Sequence, residues 1–365
     1  MNRTDHIVVT GSSGLIGSAL ARRLSATYRV TGLDREPSPF SAAGFDAVHL
    51  DLLSEKALEA CLRRLRSWHG NRIASVIHLA GYCDFAGGPS SQYEVSNVRG
   101  TQRLLRALEG FETEQVIYVS TSYVHAPCKR GQQINEDSPL QPKWDYPRSK
   151  LAAEQYIASY APHMRRLTLR IAGVYDDSCH CLPLAQQMKR IYERSALSHV
   201  FPGDVLNGQS FLHLDDLLEA IESAVWRRAS LPRETTLLLG EPETLSYEER
   251  QRQLGRLIHQ EEWETQPILK STAEAAAWLS DSVVSDEPVV GSWRVDGADD
   301  HYALDITRAR QWLNWEPKRS LRAALPLMVE ALKTDARQWY VTNGFELPED
   351  ASETISLDEQ EYVRM

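Results

Sequence analysis

At 365 residues the chain is long enough to bury a full core, as one large domain or as a large domain with a smaller partner. Its formal net charge of −10 argues against general nucleic-acid binding, which needs clustered positive charge to displace counterions from phosphates, but it leaves room for one anionic ligand held locally. No apolar run approaches the roughly 20 residues that cross a bilayer, and Met1 to His6 lack a signal-peptide pattern, so we expect a cytoplasmic protein with no membrane partner. Five scattered cysteines do not read as a secreted disulfide framework. The one cluster, Cys179-His180-Cys181, has no second pair at zinc spacing, and no metal is expected there.

In chain order, His6 to Thr10 is a short β-branched run, followed directly by Gly11-Ser-Ser-Gly14-Leu-Ile-Gly17 and by helical spacing from Ser18 to Ser25. Strand, glycine-rich turn and helix make a dinucleotide-binding unit. Gly11 permits the tight turn, Gly14 lets backbone approach a pyrophosphate, Gly17 lets helix pack on strand, and the helix N-terminus offers amides to anionic oxygens. A second strand, Tyr28 to Leu33, ends in Asp34, about 20 residues on, where a carboxylate takes the adenosine ribose hydroxyls and repels a 2′-phosphate. NAD is therefore expected over NADP, a preference that Arg35 softens; the other reading of Asp34 is a turn residue before Pro37 and Pro39.

Ala47 to Leu50 reads as a third strand ending in Asp51, Ser54 to Ser67 as a helix, and Ser75 to Ala80 as a fourth strand running into Gly81. Small Ala80 and Gly81 let a cofactor approach that strand end. Helical spacing returns from Ser91 to Leu108 and carries Asn97, a mid-helix asparagine that is either solvated or held for a reason. Gln115 to Ser120 is a fifth strand delivering Thr121-Ser122-Tyr123 to its carboxyl end, where open parallel sheets bind ligands. After a Pro- and Gly-containing loop, a helix begins at Tyr146, and Arg165 to Val174 is a sixth strand. The alternation means an α/β fold with a Rossmann-type doubly wound parallel sheet.

In the helix that begins at Tyr146, Tyr146 and Lys150 stand at i and i+4, on one face. A nearby cation lowers a phenol's pKa, which suits an acid/base for an alcohol or ketone; alone, the pair also fits a solvated helix face.

Taken together, Gly11-x-x-Gly14-x-x-Gly17, Asp34, Asp51, His78-Leu-Ala-Gly81, Asn97, Val119-Ser-Thr121 and Tyr146-x-x-x-Lys150 resemble the extended short-chain dehydrogenase/reductases, and within them the NAD-dependent epimerase/dehydratase group. The likeness continues through Leu169-Arg170-Ile-Ala-Gly173-Val-Tyr175, Phe211-Leu-His213-Leu-Asp215-Asp216 and Leu304-Asp305 to Leu313-Asn-Trp315-Glu-Pro317. It implies Tyr146 as acid/base, Lys150 holding the nicotinamide ribose and lowering the tyrosine pKa, Thr121 bonding the reacting oxygen, and Asn97 supporting the site. The implied cofactor is NAD. Its expected contacts are Gly11, Ser13, Gly14, Leu15, Ile16, Gly17, Asp34, Arg35, Asp51, Leu52, Leu79, Ala80, Gly81, Asn97, Tyr146 and Lys150. The expected reaction is oxidation of a secondary hydroxyl of a sugar or sugar-like molecule, with epimerisation if the hydride returns to the other face. A ketone reductase or a non-catalytic NAD(H) sensor are the alternatives. A homodimer through the helices near Ser91 and Tyr146 is implied too.

Departures from the group narrow this. Its sugar dehydratases place an Asp-Glu pair after the catalytic threonine, where this chain has Ser122 and Tyr123, so dehydration is not expected. Gly173 stands where nucleotide-sugar enzymes carry an asparagine, and Gln209 where they carry an arginine that reaches the substrate diphosphate. Lys189, Arg190 or Arg194 would have to compensate. His125 replaces a tyrosine, as a substrate contact or a packed loop histidine. With Ser122, Tyr123, Gly173 and Gln209 it completes the expected substrate side.

We expect residues 1–178 to form the NAD-binding part, with 207–242 returning to it, and 179–206 and 243–345 to form a smaller mixed α/β substrate region. Within these lie helices at Leu182 to Arg194, Asp215 to Trp226, Ser246 to His259 and 321 to 340, and a strand at Thr236 to Leu239. Trp263, Trp278 and Trp293 suit either a core, which we favour, or stacking on a sugar. The acidic stretch 346–365 is expected to be mobile or ordered against a partner subunit.

Overall fold

The computed structural model describes residues 5–84, 91–160, 164–272 and 296–347. Seven strands, β1 (His6–Thr10), β2 (Arg29–Asp34), β3 (Phe45–His49), β4 (Arg72–His78), β5 (Glu112–Thr121), β6 (Arg165–Ile171) and β10 (Glu234–Leu239), form one sheet in the order β10-β6-β5-β4-β1-β2-β3. All its pairings are parallel. Every residue of β1 is buried, as a parallel strand covered on both faces requires.

Alternate residues of β1 feed opposite cores. Ile7 and Val9 join α1 (Leu15–Ser25) and α6 (Leu214–Trp226) on one face, while Val8 joins α2 (Glu55–His69), α3 (Gly100–Leu108) and α4 (Asp145–Tyr160) on the other. A third apolar cluster gathers α5 (Leu182–Tyr192), α7 (Tyr247–His259) and the closing helices Leu321–Thr334 and Ala336–Thr342. Trp263 is part of it, its ring between His199 and His259 at 4.6 and 5.1 Å. Trp278, Trp293 and nearly all of the acidic stretch lie outside the described residues.

Three expected elements differ. The helix after the glycine turn starts at Leu15 rather than Ser18, with Gly14 as its N-cap. The sixth strand stops at Ile171, because the amide of Ala172 takes the last carbonyl of β10 and that of Gly173 turns to Ser210. Gly173–Tyr175 (β7) then pairs with Phe211–His213 (β9) in a separate two-stranded sheet. The expected helix 321–340 breaks at Asp335, whose carboxylate caps the next helix by accepting from the Gln338 amide. Val200–Phe201 (β8) and Gln266–Pro267 (β11) form a further short pair. Among the described residues no helix is long and apolar enough to cross a membrane.

Candidate active site

The chain winds outward from β1 to β3 and then returns to place β4 on the other side of β1, so the carboxyl ends of β1 and β4 frame a crevice. Gly11 sits there with φ +73°, and a Cβ on it would come within 2.7 Å of the Ala80 amide nitrogen. A Cβ on Gly17 would stand 1.9 Å from the Gly11 carbonyl oxygen, so two turns meet where only glycine fits. Helix α1 has no side-chain cap and no acid in its first turn, which leaves its amides, near Leu15 and Ile16, facing outward. Asp34 accepts from the Ser13 amide at 2.8 Å and the Glu36 amide at 3.0 Å, and is thereby fixed against the glycine turn.

Across the crevice, the amides of Leu79 and Ala80 bond the carbonyl and hydroxyl of Thr10. Asp51 caps its own turn at the Leu53 amide, Leu52 packs on the core edge, and Arg35 is exposed beside Glu36.

Asn97 is 2 % exposed and lies in a π-helical segment, Tyr93–Arg99, that leads into α3. Its carbonyl oxygen accepts from the Tyr82 amide at 2.6 Å, and its amide donates to the Tyr82 carbonyl at 3.0 Å and to the Ser149 hydroxyl at 2.9 Å. Ser149 in turn donates to the carbonyl of Tyr146. One asparagine thus ties the loop after β4 to the first turn of α4. A second tie is the buried Arg170–Glu154 pair at 2.8 Å, which fastens α4 to β6.

This frame carries Thr121, Tyr146 and Lys150. Thr121 is buried at the end of β5, its hydroxyl accepting from the Tyr123 amide. Lys150 is buried with its ammonium 4.4 Å from the centre of the Tyr118 ring, and burial lowers its pKa to about 8 against the opposing pull of Cys83 and Glu154. Tyr146 is half-buried, packed against the rings of Tyr93 and Trp144. Its phenol is raised well above its usual pKa, first by burial and then by Cys83, Tyr118 and Tyr93. The lowering expected from a lysine one turn on is therefore not what this arrangement gives. Burial prevails, and the phenol is held in its acid form.

On the substrate side, two expectations are corrected. His125 is wholly buried, its Nδ1 on the Ser138 carbonyl and its Nε2 accepting from Arg170, so both nitrogens are occupied and it is a packed loop histidine. Ser122, 3 % exposed, opens the short 3₁₀ turn below it. Neither lines the cavity of about 230 Å³ that opens beside Trp144, Tyr123 and Gln209. The Tyr123 hydroxyl donates to Gln209 at 2.7 Å, and the Trp144 ring lies 5.4 Å from that of Tyr146, connecting the cavity to the tyrosine. Gly173 lies beneath, where a Cβ would meet the Phe211 ring at 3.1 Å.

Sequence reasoning did not single out Trp144, the stacked Phe201–Tyr247 pair at 4.0 Å, or Arg250, all of which line this cavity. Arg250 had a signal. With Leu254 and Ile258 it sits on the buried stripe of α7, where a cation needs a reason. Of the three compensating cations considered, Arg190 lines the cavity, whereas Lys189 lies beside Glu193 and Arg194 pairs with Glu261. Among the described residues no group of three His, Cys, Asp or Glu side chains could hold a metal ion, and His180 bonds Asp176 instead.

Comparison with known proteins adds the following. A sequence model of the NAD dependent epimerase/dehydratase family matches residues 7–240. A dTDP-glucose 4,6-dehydratase of Streptomyces griseus is 28% identical over 351 residues, covering 92% of this chain and 96% of that protein. An uncharacterized UDP-glucose epimerase of Bacillus subtilis is 25% identical over 340 residues, covering 87% and 95%. Among solved structures, the UDP-glucuronic acid 4-epimerase of Bacillus cereus in complex with UDP-glucuronic acid and NAD superposes with a TM-score of 0.70 at 22% identity, covering 90% of this chain and 99% of that one.

Proposed function

The chain belongs to the NAD-dependent epimerase/dehydratase family, and from that premise we propose that it oxidises a secondary hydroxyl of a sugar or sugar-like substrate, with Tyr146 as the acid/base. The observation that supports this reading is the chain of contacts from Asn97 through Ser149 to the carbonyl of Tyr146, which ties the loop after β4 to the first turn of α4, the helix that carries Tyr146 and Lys150. The crevice fits a dinucleotide. Its glycines allow the turn, the helix and the end of β4 to pack closer than any Cβ permits, the first-turn amides of α1 are uncapped, and Asp34, fixed against the glycine turn, is the carboxylate that would bind a ribose and repel a 2′-phosphate. NAD supplies the hydride acceptor when bound.

The residues of the chain handle the proton. As the neutral phenol, Tyr146 donates its proton to the alkoxide that develops when a ketone is reduced and is left as the phenolate; in the oxidative direction it is that phenolate that takes the proton of the substrate hydroxyl. The Thr121 hydroxyl donates to that oxygen, and the Lys150 ammonium stabilises charge on the phenol. Lys150 holds the nicotinamide side, Asn97 positions the first turn of α4 rather than touching the cofactor, and Gly11, Gly14, Gly17, Asp34 and Asp51 hold the adenosine and pyrophosphate side. Tyr123 and Gln209 line the substrate cavity.

Dehydration is not part of this reading, because Ser122 and Tyr123 supply no carboxylic acid after Thr121. Residues 1–178 and 207–242 serve as the cofactor part, and 179–206 and 243–345 as the substrate part. The reading places the enzyme in the cytoplasm and pairs two copies through α3 and α4; light scattering at the mass of two chains, not one, is the expected result. Tyr146→Phe is expected to cut turnover roughly 10²–10⁴-fold with NAD binding retained. Full turnover of this variant, on any sugar from a panel that the wild-type protein converts, would refute the proposed chemistry.

A further inference from the structure

We propose that Arg250 binds an anionic oxygen group of the substrate, a carboxylate or a phosphate, inside the cavity beside Tyr123 and Gln209. The proposal rests on the reading of that cavity as the substrate site. Arg250 projects from α7 and is only 8 % exposed. Its Nε donates to Gln187 at 3.3 Å, and its guanidinium lies 5.3 Å from the centre of the Phe211 ring and 5.8 Å from that of Tyr247. Its Nη1 is buried with no hydrogen-bond partner.

Among the described residues no carboxylate pairs with Arg250. Asp296 and Asp300 also line the cavity, but Asp300 is paired with Lys143 and neither bonds the guanidinium. A buried cation without an anion is costly, and a fork of N–H donors facing a cavity with one arm unsatisfied matches an oxyanion that arrives from outside. Arg190 lines the same cavity and adds a second positive charge.

The packing explains why this arginine can serve here. With no side chain at Gly173, the Phe211 ring occupies the space above it, and the guanidinium of Arg250 lies over that ring. At the position of Gln209 there is no charge, and its amide oxygen is spent on the Tyr123 hydroxyl. The charge that residues 173 and 209 do not supply comes from α7 instead.

The test uses the full chain loaded with NAD. Melting temperature and calorimetric affinity are measured with inorganic pyrophosphate, UDP, sodium glucuronate and neutral glucose, for the wild-type protein and for Arg250→Met, Arg250→Gln and Arg194→Gln. Arg194 pairs with Glu261 outside the cavity and serves as the control. We expect at least one anionic probe to raise the wild-type and Arg194→Gln melting temperatures. Both Arg250 variants should bind that probe at least tenfold more weakly, with glucose affinity unchanged. Without ligand, Arg250→Met should melt no lower than wild type, since it removes an unpaired buried charge, whereas a purely structural arginine would leave a less stable protein. Response to UDP or pyrophosphate identifies a phosphate source, and response to glucuronate a carboxylate. The proposal is overturned if no anionic probe binds the wild-type protein, or if either folded Arg250 variant binds the probe within twofold of wild type. Binding is read independently of turnover, so loss of anion affinity would stand even if Tyr146→Phe remained active, and the acid/base reading would stand if anion affinity did not change.

Discussion

Asn97 shows how much one side chain can hold when all its hydrogen-bonding capacity is directed at backbone and helix. It bonds both backbone polar groups of Tyr82, which are half-buried, and the buried hydroxyl of Ser149. Asn97→Ala would remove all three bonds, leaving Ser149 only its bond to the Tyr146 carbonyl. We expect a loss of about 2–4 kcal/mol by urea denaturation, and a fall in kcat larger than any change in NAD affinity, because the loosened turn is the one that carries Tyr146. Asn97→Asp is not expected to rescue either quantity. A carboxylate still accepts from the Tyr82 amide, but it has no N–H for the Tyr82 carbonyl or for Ser149. A stability within 0.5 kcal/mol of wild type would mean that the network is dispensable. The sequence showed an asparagine in need of a reason, and not its partners, which lie 15 and 52 residues away. The same distance effect hid the role of His125, since only the fold brings Arg170 against it.

At the scale of elements, the hydrophobic period located the seven strands of the main sheet and the longer helices but not the two-stranded pairs or the short helix Thr307–Leu313, and it failed where hydrogen-bond partners change without a change in polarity. Residues 165–174 read as one apolar strand, yet the ladder passes from β10 to the segment at Ser210 after Ala172. Likewise the apolar stripe of 321–340 continues through Asp335, which ends one helix and caps the next. Within the first of these helices, Pro326 removes the amide that would bond the carbonyl of Arg322, and that carbonyl is taken instead by the Gln253 side chain of α7 at 2.9 Å. A double-mutant cycle tests whether this contact joins the two helices. Gln253→Ala alone is expected to cost about 0.5–1 kcal/mol. In a Pro326→Ala background the helix bonds its own carbonyl and the same change should cost nothing measurable. Equal costs in both backgrounds would show that Gln253 contributes by packing alone.

For the whole molecule, the parallel sheet that frames the crevice also buries three histidines in a form that makes the fold sensitive to acid. His6, His78 and His125 are each under 5 % exposed, and burial lowers their pKa values to about 3, 3 and 4. Their bonds agree with the neutral ring. The Ala80 amide and Thr10 hydroxyl lead into His78 Nδ1, and His78 Nε2 leads out through Thr101 to the carbonyl of Asn97. Between the folded values and the unfolded value near 6.5, the unfolded chain binds more protons, so stability is full above that pH and falls as the pH drops through this window. Glu241 opposes one of the three. Burial raises its carboxyl to about 7, so between its unfolded value of 4.5 and 7 the folded state holds the extra proton. Of these four groups a net two protons remain, worth about 2–3 kcal/mol per pH unit between pH 4.5 and 6.5; the smaller shifts of His69 and His301, both lowered, add to this slope, and that of His180, raised by Asp176, opposes it. Urea denaturation across that range should show this slope. His6→Gln keeps a partner for Thr31 without a titrating ring, and should flatten the slope by about 1.4 kcal/mol per pH unit. A stability that is level from pH 6.5 to 4.5 would mean that these histidines accept protons in the folded state, and that the wiring from β1 through His78 to Asn97 is looser than its hydrogen bonds describe.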